Sequence, residues 1–219
     1  MLVKFLILIL PWSLKRWLLQ RRFGYTLDPS ARIGLAWVYP KHLRMGKDTR
    51  IDNFAVAVHL DNLELGDYST IGRSTWITGH PSNSDRHFTH QTGRRPQLII
   101  GEHSAITKRH YLDCTHEIRI GSFTIIAGHH SELLTHSIDI IASRQDSHPI
   151  EIGDYCFIGT RCIILGGARL PSQSVLAAGA VLSKPFDTSF ALYGGVPARH
   201  LKDLPKDAGY FHRPSGFIY

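Results

Sequence analysis

The chain has 219 residues, 43% hydrophobic and 20% charged, a balance that excludes a disordered chain. Its formal charge of +7 calls for an anionic partner, without choosing among nucleic acid, a lipid surface and a phosphate-bearing small molecule. Three cysteines, an odd number without staple spacing, exclude a disulfide-built secreted domain, whereas 14 histidines keep metal binding open.

Residues 1–30 read as a separate N-terminal segment. Met1–Leu10 is MLVKFLILIL, in which Lys4 and Pro11 bound an apolar run of only six residues. A spanning helix needs about 20 apolar residues, so this segment does not cross a bilayer alone. PWSLKRW follows where a signal peptide would place small residues. Leu14, Trp17 and Leu18 share a helical face, with Lys15, Arg16, Arg21 and Arg22 around it. Two expectations follow: peripheral contact with anionic lipid, or a cap on the fold with its basic residues in solvent.

From Ile33 the periodicity changes. Ile152, Ile158, Ile164, Leu170, Leu176 and Leu182 recur at a strict interval of six. Shorter series repeat it: Ile100, Ile106, Leu112, Ile118; Leu65, Ile71, Ile77; and Met45, Ile51, Ala57, Leu63. Four times the phrase aliphatic-X-aliphatic-Gly appears, as Leu63–Gly66, Leu98–Gly101, Ile118–Gly121 and Ile150–Gly153. An interval of six fits neither the 3.6-residue helical period nor hairpins with turns every 8 to 12 residues. It predicts a solenoid in which each short strand turns one side chain inward and three strands close a triangular coil. The glycine suits either an unusual backbone angle or the close approach of a neighbouring corner. Two polar stretches, Gly79–Gln97 and Leu134–Pro149, interrupt the repeat and are expected to leave at corners and line a binding face.

This pattern resembles the hexapeptide-repeat acyltransferases from about Ile33 to Leu201. The resemblance implies an all-β fold, a left-handed parallel β-helix, over residues 31–201, with 202–219 as a tail. The left hand comes from the resemblance alone, since the general rule for parallel crossovers is right-handed. Ile150–Leu201 is similar to the C-terminal signature of galactoside, maltose and polysaccharide O-acetyltransferases. Cys156-Phe157-Ile158-Gly159 stands for their Trp-Ile-Gly coil, with Phe where Trp is usual. Ala177-Ala178-Gly179 stands for the Gly-Ala-Gly corner and Ser183-Lys184 for Thr-Lys. Gly195-Val196-Pro197-Ala198-Arg199 closes the motif.

In that family the region holds coenzyme A between neighbouring subunits. The resemblance implies that Thr160 and Ala178 line the pantetheine path with Ser183 beside it, while Lys184 and Arg199 meet the phosphates. Fixed cations suit those phosphates, and arginine offers a planar fork. Thr135-His136-Ser137-Ile138-Asp139 is similar to the family's Thr-His-Pro-X-Asp sequence. By that likeness His136 is the general base toward an acceptor hydroxyl, and Asp139 helps to orient the loop. A free imidazole is mostly neutral at pH 7, as a base must be.

His110 and His116, six apart, occupy equivalent places on adjacent faces, and His129, His130, His80 and His103 crowd the same region. The γ-class carbonic anhydrases also use parallel β-helices with shared histidines. Ala127–His136 lacks their His-X-X-X-X-His pair, so no metal is expected, and His80 is assigned instead to face the acceptor. Cys156 and Cys162 read as small packed groups. The expectation is a cytoplasmic, homotrimeric acetyl-CoA-dependent O-acetyltransferase acting on a sugar or glycan precursor without a covalent intermediate, with no nucleic-acid partner. The alternatives are an antibiotic-type acetyltransferase, a carbonic-anhydrase-like metal site and a β-helix serving only as scaffold.

Overall fold

The computed structural model describes residues 2–84, 86–216 and 218. Short strands pass in turn to three parallel sheets of seven, nine and seven strands, here called faces A, B and C. Each strand pairs with the strand one coil earlier and one coil later. On face A, Leu43 pairs with Leu63, Leu63 with Leu98, Leu98 with Ile118 and Ile118 with Ile150. All five are buried, as are Ile71, Ile106, Ile126 and Ile158 on face B and Ile77, Leu112, Leu133 and Ile164 on face C. The core is therefore a continuous aliphatic column that no single coil could bury.

The six-residue interval holds strictly only in the last coils. Glu151 pairs with Arg169 and Ile163 with Val181, eighteen residues on, whereas Met45 pairs with Leu65 and Leu98 with Ile118, twenty residues on. In the longer coils the face-A strand turns two side chains inward, such as Leu63 and Leu65, after a wider C-to-A corner. The repeated phrase aliphatic-X-aliphatic-Gly is this strand. Its glycine is required by close approach: a Cβ on Gly101 or Gly153 would strike the backbone nitrogen of Ser122 or Ser172 in the next coil.

Two columns of corner residues take the left-handed conformation. Tyr68, His103, Phe123 and Tyr155 do so between faces A and B, at φ of 60°, 55°, 55° and 53°. That conformation costs roughly 1–2 kcal/mol per non-glycine residue. Stacking offsets it, with ring centroids 4.7, 4.8 and 4.6 Å apart from one coil to the next. The buried small residue that follows each one bonds the neighbouring coil. Ser104 Oγ donates to Gly121 O (2.7 Å) and accepts from Thr124 N (2.9 Å), and Thr124 Oγ1 repeats this with Gly153 O and Cys156 N. Cys156 and Cys162 fill such positions, free and buried, and burial pushes the Cys156 thiol up to about 12. They pack as small groups.

Helices α1 (Leu2–Leu8) and α2 (Trp12–Phe23) close the N-terminal end through Ile7 and Leu19. The cap expectation needs one correction: Lys15 is buried, with Nζ donating to Gly34 O at 2.6 Å. The Gly34 carbonyl already accepts from Ala36 N at 2.8 Å, and Lys15 adds a second hydrogen bond to it. Strand Thr26–Leu27 already pairs with face A, so the β-helix begins a few residues before position 31. No described helix is long and apolar enough to cross a membrane. At the other end Arg199–Asp203 runs antiparallel to Ala191–Gly194. The tail then packs back along the A–B corner, where Arg213 lies 4.0 Å over the Tyr210 ring and Tyr210 Oη donates to Cys156 O (2.9 Å).

His110 fills one of the small-residue positions between faces B and C. Its Nδ1 accepts from Ser131 N (3.2 Å) and its Nε2 faces Thr107 Oγ1 (2.9 Å). Burial, followed by His129 and His130, pushes its pKa down to about 4. The unfolded chain therefore binds the extra proton between about pH 6.5 and 4, so this contribution is complete above 6.5 and lost as pH falls. We expect wild type to lose about 3 kcal/mol more stability across that window than His110→Gln. Urea unfolding at a series of pH values measures the difference, and equal slopes would contradict it.

Candidate active site

Both insertions leave from the C–A corner. The first follows Trp76–Thr78 and the second follows Glu132–Leu134, while the strand between them, Tyr111–Asp113, turns back without an insertion. The face-C register sets Asp113 opposite Thr78 on one side and Leu134 on the other. Two long loops therefore rise around the end of one short strand, and that strand ends in a carboxylate.

The second insertion is an antiparallel hairpin, His136–Asp139 against Arg144–Ser147. His136 is its first residue, held by Thr135, whose Oγ1 donates to Asp113 O at 2.7 Å. The imidazole turns Nδ1 toward Asp113 Oδ2 at 3.7 Å. The other carboxylate oxygen, Oδ1, accepts from Thr115 N (2.9 Å) and Oγ1 (2.6 Å), which fixes the carboxylate plane. Among the described residues His136 Nε2 is buried and has no hydrogen-bond partner. Unpaired buried nitrogens are uncommon, and this one lies covered between the two loops.

The first insertion supplies the walls. Phe88 and His80 stand edge-on to the His136 ring, at centroid distances of 5.3 and 5.7 Å. Burial, then the neighbouring His136, pushes the His80 pKa down, which favours the neutral ring. Arg94 ties this loop to the body: it is buried, donates to the carbonyls of His80 (2.5 Å), Thr115 (2.6 Å) and Pro81 (2.9 Å), and lies 4.6 Å over the Phe88 ring. The two insertions also bond each other, Gln91 Nε2 to Asp146 Oδ1 at 2.7 Å and Ser147 Oγ to Gln91 Oε1 at 2.6 Å. The two loops around His136 are thus braced against the body and against each other.

Among the residues singled out from sequence, His136 and His80 meet. Asp139 does not reach the imidazole; its Oδ1 accepts from Ile141 N (3.1 Å) and Ala142 N (3.0 Å), shaping the hairpin turn. Asp113, Phe88 and Arg94 were not singled out, and the register of face C is the signal that would have found Asp113. Thr160 and Ala178 lie one above the other on the B–C corner, with Gly179 N donating to Thr160 O at 2.9 Å. Thr160 Oγ1 donates to His129 O at 2.8 Å. Arg199 tops that same edge, because Ala198 N donates to Val181 O at 2.8 Å. Ser183 and Lys184 sit across the top coil at the C–A corner, both exposed. Neither Lys184 nor Arg199 has a carboxylate within ion-pair reach among the described residues. No group of three or more His, Cys, Asp or Glu side chains among the described residues is placed to hold a metal ion.

No family model matches the chain. Solved structures do. The polysialic acid O-acetyltransferase OatWY is similar at a TM-score of 0.58, with 16% identity over 82% of this chain and 84% of that one. A mutant of AntD, an N-acyltransferase from Bacillus cereus in complex with dTDP-4-amino-4,6-dideoxyglucose and coenzyme A, is similar at 0.57, with 14% identity over 90% and 92%. These likenesses establish the fold as a left-handed parallel β-helix.

Proposed function

We propose that the chain is an acetyl-CoA-dependent acyltransferase that acetylates a hydroxyl of a sugar or glycan precursor. The observation that carries this reading is His136: among the described residues Nε2 is buried without a partner, between two loops, and Nδ1 faces a fixed carboxylate. The fold is shared with enzymes whose substrates are a polysialic acid and an amino-sugar nucleotide, one of them crystallised with coenzyme A. The donor supplies an acyl group already activated as a thioester. His136 Nε2 takes the acceptor's hydroxyl proton, and Asp113 orients the ring and steadies the imidazolium that results. At 3.7 Å the pair faces rather than bonds, and such contacts commonly tighten when substrate binds. His80, held toward its neutral form, faces the acceptor without repelling the protonated base.

The donor residues fit coenzyme A by chemistry. Thr160 and Ala178 leave a small-residue track along the corner, while Arg199 at its top and Lys184 across the top coil, neither with a carboxylate partner among the described residues, are cations for its phosphates. That track lies on the B–C edge, whereas His136 lies on the C–A edge. The strand between them runs from His130 to His136, about 20 Å at ~3.3 Å per residue. A threefold assembly brings one edge of a chain against the opposite edge of its neighbour. We therefore read the active unit as a homotrimer with shared sites. Three free buried thiols fit a reducing, cytoplasmic setting.

A second surface belongs with this reading. Ile9, Val3, Leu6, Trp17, Phe5 and Leu14 on the helical cap are 72, 57, 55, 54, 51 and 44% exposed. Around them stand Lys4, Arg16, Arg21 and Arg22, with Lys15 buried, and no acidic residue precedes Asp28. Apolar side chains framed by cations alone are complementary to an anionic bilayer, and we assign that partner to the cap.

His136→Ala is expected to lower turnover by about 10²–10⁴, the usual share of a general base, while the chain still folds and binds coenzyme A. Near-full activity in the variant contradicts the assignment. The full chain should co-sediment with phosphatidylglycerol vesicles, weakly with phosphatidylcholine and not in high salt. Ile9→Glu with Trp17→Glu should reduce that binding at least tenfold, and unchanged binding would leave the cap with packing alone.

A further inference from the structure

The B–C corner continues below Thr160, and its lower coils carry charge that the donor reading does not use. Each coil contributes two outward residues there: Arg73 and Ser74, Lys108 and Arg109, His129 and His130, then Thr160 and Arg161. Hydrogen bonds stack them in register, Arg109 N to Arg73 O (3.0 Å), His130 N to Arg109 O (2.8 Å) and Arg161 N to His129 O (3.1 Å). Arg73, Lys108, Arg109 and Arg161 are all exposed. None of the four has a carboxylate within ion-pair reach among the described residues. Successive coils are about 4.8 Å apart, inside the Debye length of about 8 Å, so these cations repel one another. A stack of repelling charges contributes nothing to folding and is satisfied by an anion laid along it.

Beside this ladder, on face B, is a hollow of about 560 Å³. Arg73 and Lys108 stand at its rim with Asp52, Thr70 and Thr107, and Gly72 and Gly128 leave its floor as bare backbone. It is shallow and open to solvent, the shape of a surface subsite rather than an enclosed cavity. The mixture is informative: two cations suit a carboxylate, while Asp52 and Thr70 suit the hydroxyls around it. Asp52 counts against a phosphate dianion, and the coil spacing is close to the length of one sugar unit. We propose that this hollow and the Arg73–Lys108–Arg109 ladder bind a carboxylated glycan, one acidic sugar in the hollow and its neighbours along the corner. The glycan's role as acyl acceptor rests on the reading above; its binding does not. In the shared-site assembly, this ladder lies on the edge that meets the neighbour's His136.

The test uses the full chain and fluorescein-labelled oligogalacturonate, read by anisotropy at 0.15 M salt, with a neutral maltooligosaccharide of equal length as comparison. Oligogalacturonate should bind at least tenfold tighter than the neutral sugar. Arg73→Gln with Lys108→Gln should remove that preference, whereas Lys41→Gln with Lys206→Gln, which removes the same charge elsewhere, should change it less than twofold. Saturating coenzyme A should leave binding unchanged. Equal losses in both double variants would reduce the effect to net charge, and full competition by coenzyme A would give the ladder to the donor; either overturns the proposal. If oligogalacturonate binds as expected but no acceptor is ever acetylated, the acyltransfer reading falls and this site stands.

Discussion

Every coil of this protein must satisfy its backbone through the coils on either side, and little else in the structure is free to vary once that is met. An N–H or C=O without such a partner would be buried and unpaired, at a cost comparable to a lost hydrogen bond. The chain meets the demand with parallel pairing on three faces and with hydroxyl bridges at the corners, such as Gly121–Ser104–Thr124. Inward positions then stack in line, because parallel register sets Ile106 over Ile71 and Ile126 over Ile106. The aliphatic column is a consequence of this pairing as much as a cause of it.

The same constraint decides where chemistry can go. Extra residues disturb no pairing if they leave and return at a corner, and both insertions use the C–A corner, two coils apart. The uninterrupted strand between them delivers Asp113 to the gap. His136 inherits a rigid base from Thr135, and Arg94 anchors the opposing loop to backbone carbonyls. The outer faces of the other corners remain regular ladders, one aromatic and one cationic. A flexible ligand laid along such a ladder meets groups at a fixed interval, so the fold offers a ruler as well as a surface.

The coil architecture was legible from Ile152 to Leu182, where one aliphatic per strand leaves a strict period. It was less legible upstream, because strands such as Asn62–Leu65 turn two side chains inward and the period breaks to six, six, six and two. The two insertions and His136 stood out as polar interruptions with a familiar local sequence. Asp113 did not, because its approach to His136 is set by register between coils and leaves no local mark. Lys15 reads as a surface charge on any helical projection, and its burial rests on a bond to the Gly34 carbonyl, nineteen residues away in sequence. The cationic ladder was likewise hidden: Arg73, Lys108 and Arg161 are unremarkable until the coils bring them into one column.

The central claim is that each site is built from two chains, His136 from the C–A edge of one and Thr160, Ala178 and Arg199 from the B–C edge of the other. Mixed trimers test it directly. Chains carrying His136→Ala and chains carrying Arg199→Ala, each inactive or weakened alone, should regain activity when unfolded together and refolded as a mixture, because some interfaces then pair an intact His136 with an intact Arg199. An equal mixture should recover up to about a quarter of the wild-type rate if pairing is random, with each interface drawing independently on two chains. A mixture no more active than the sum of its separate parts would place both groups on one chain and contradict the account.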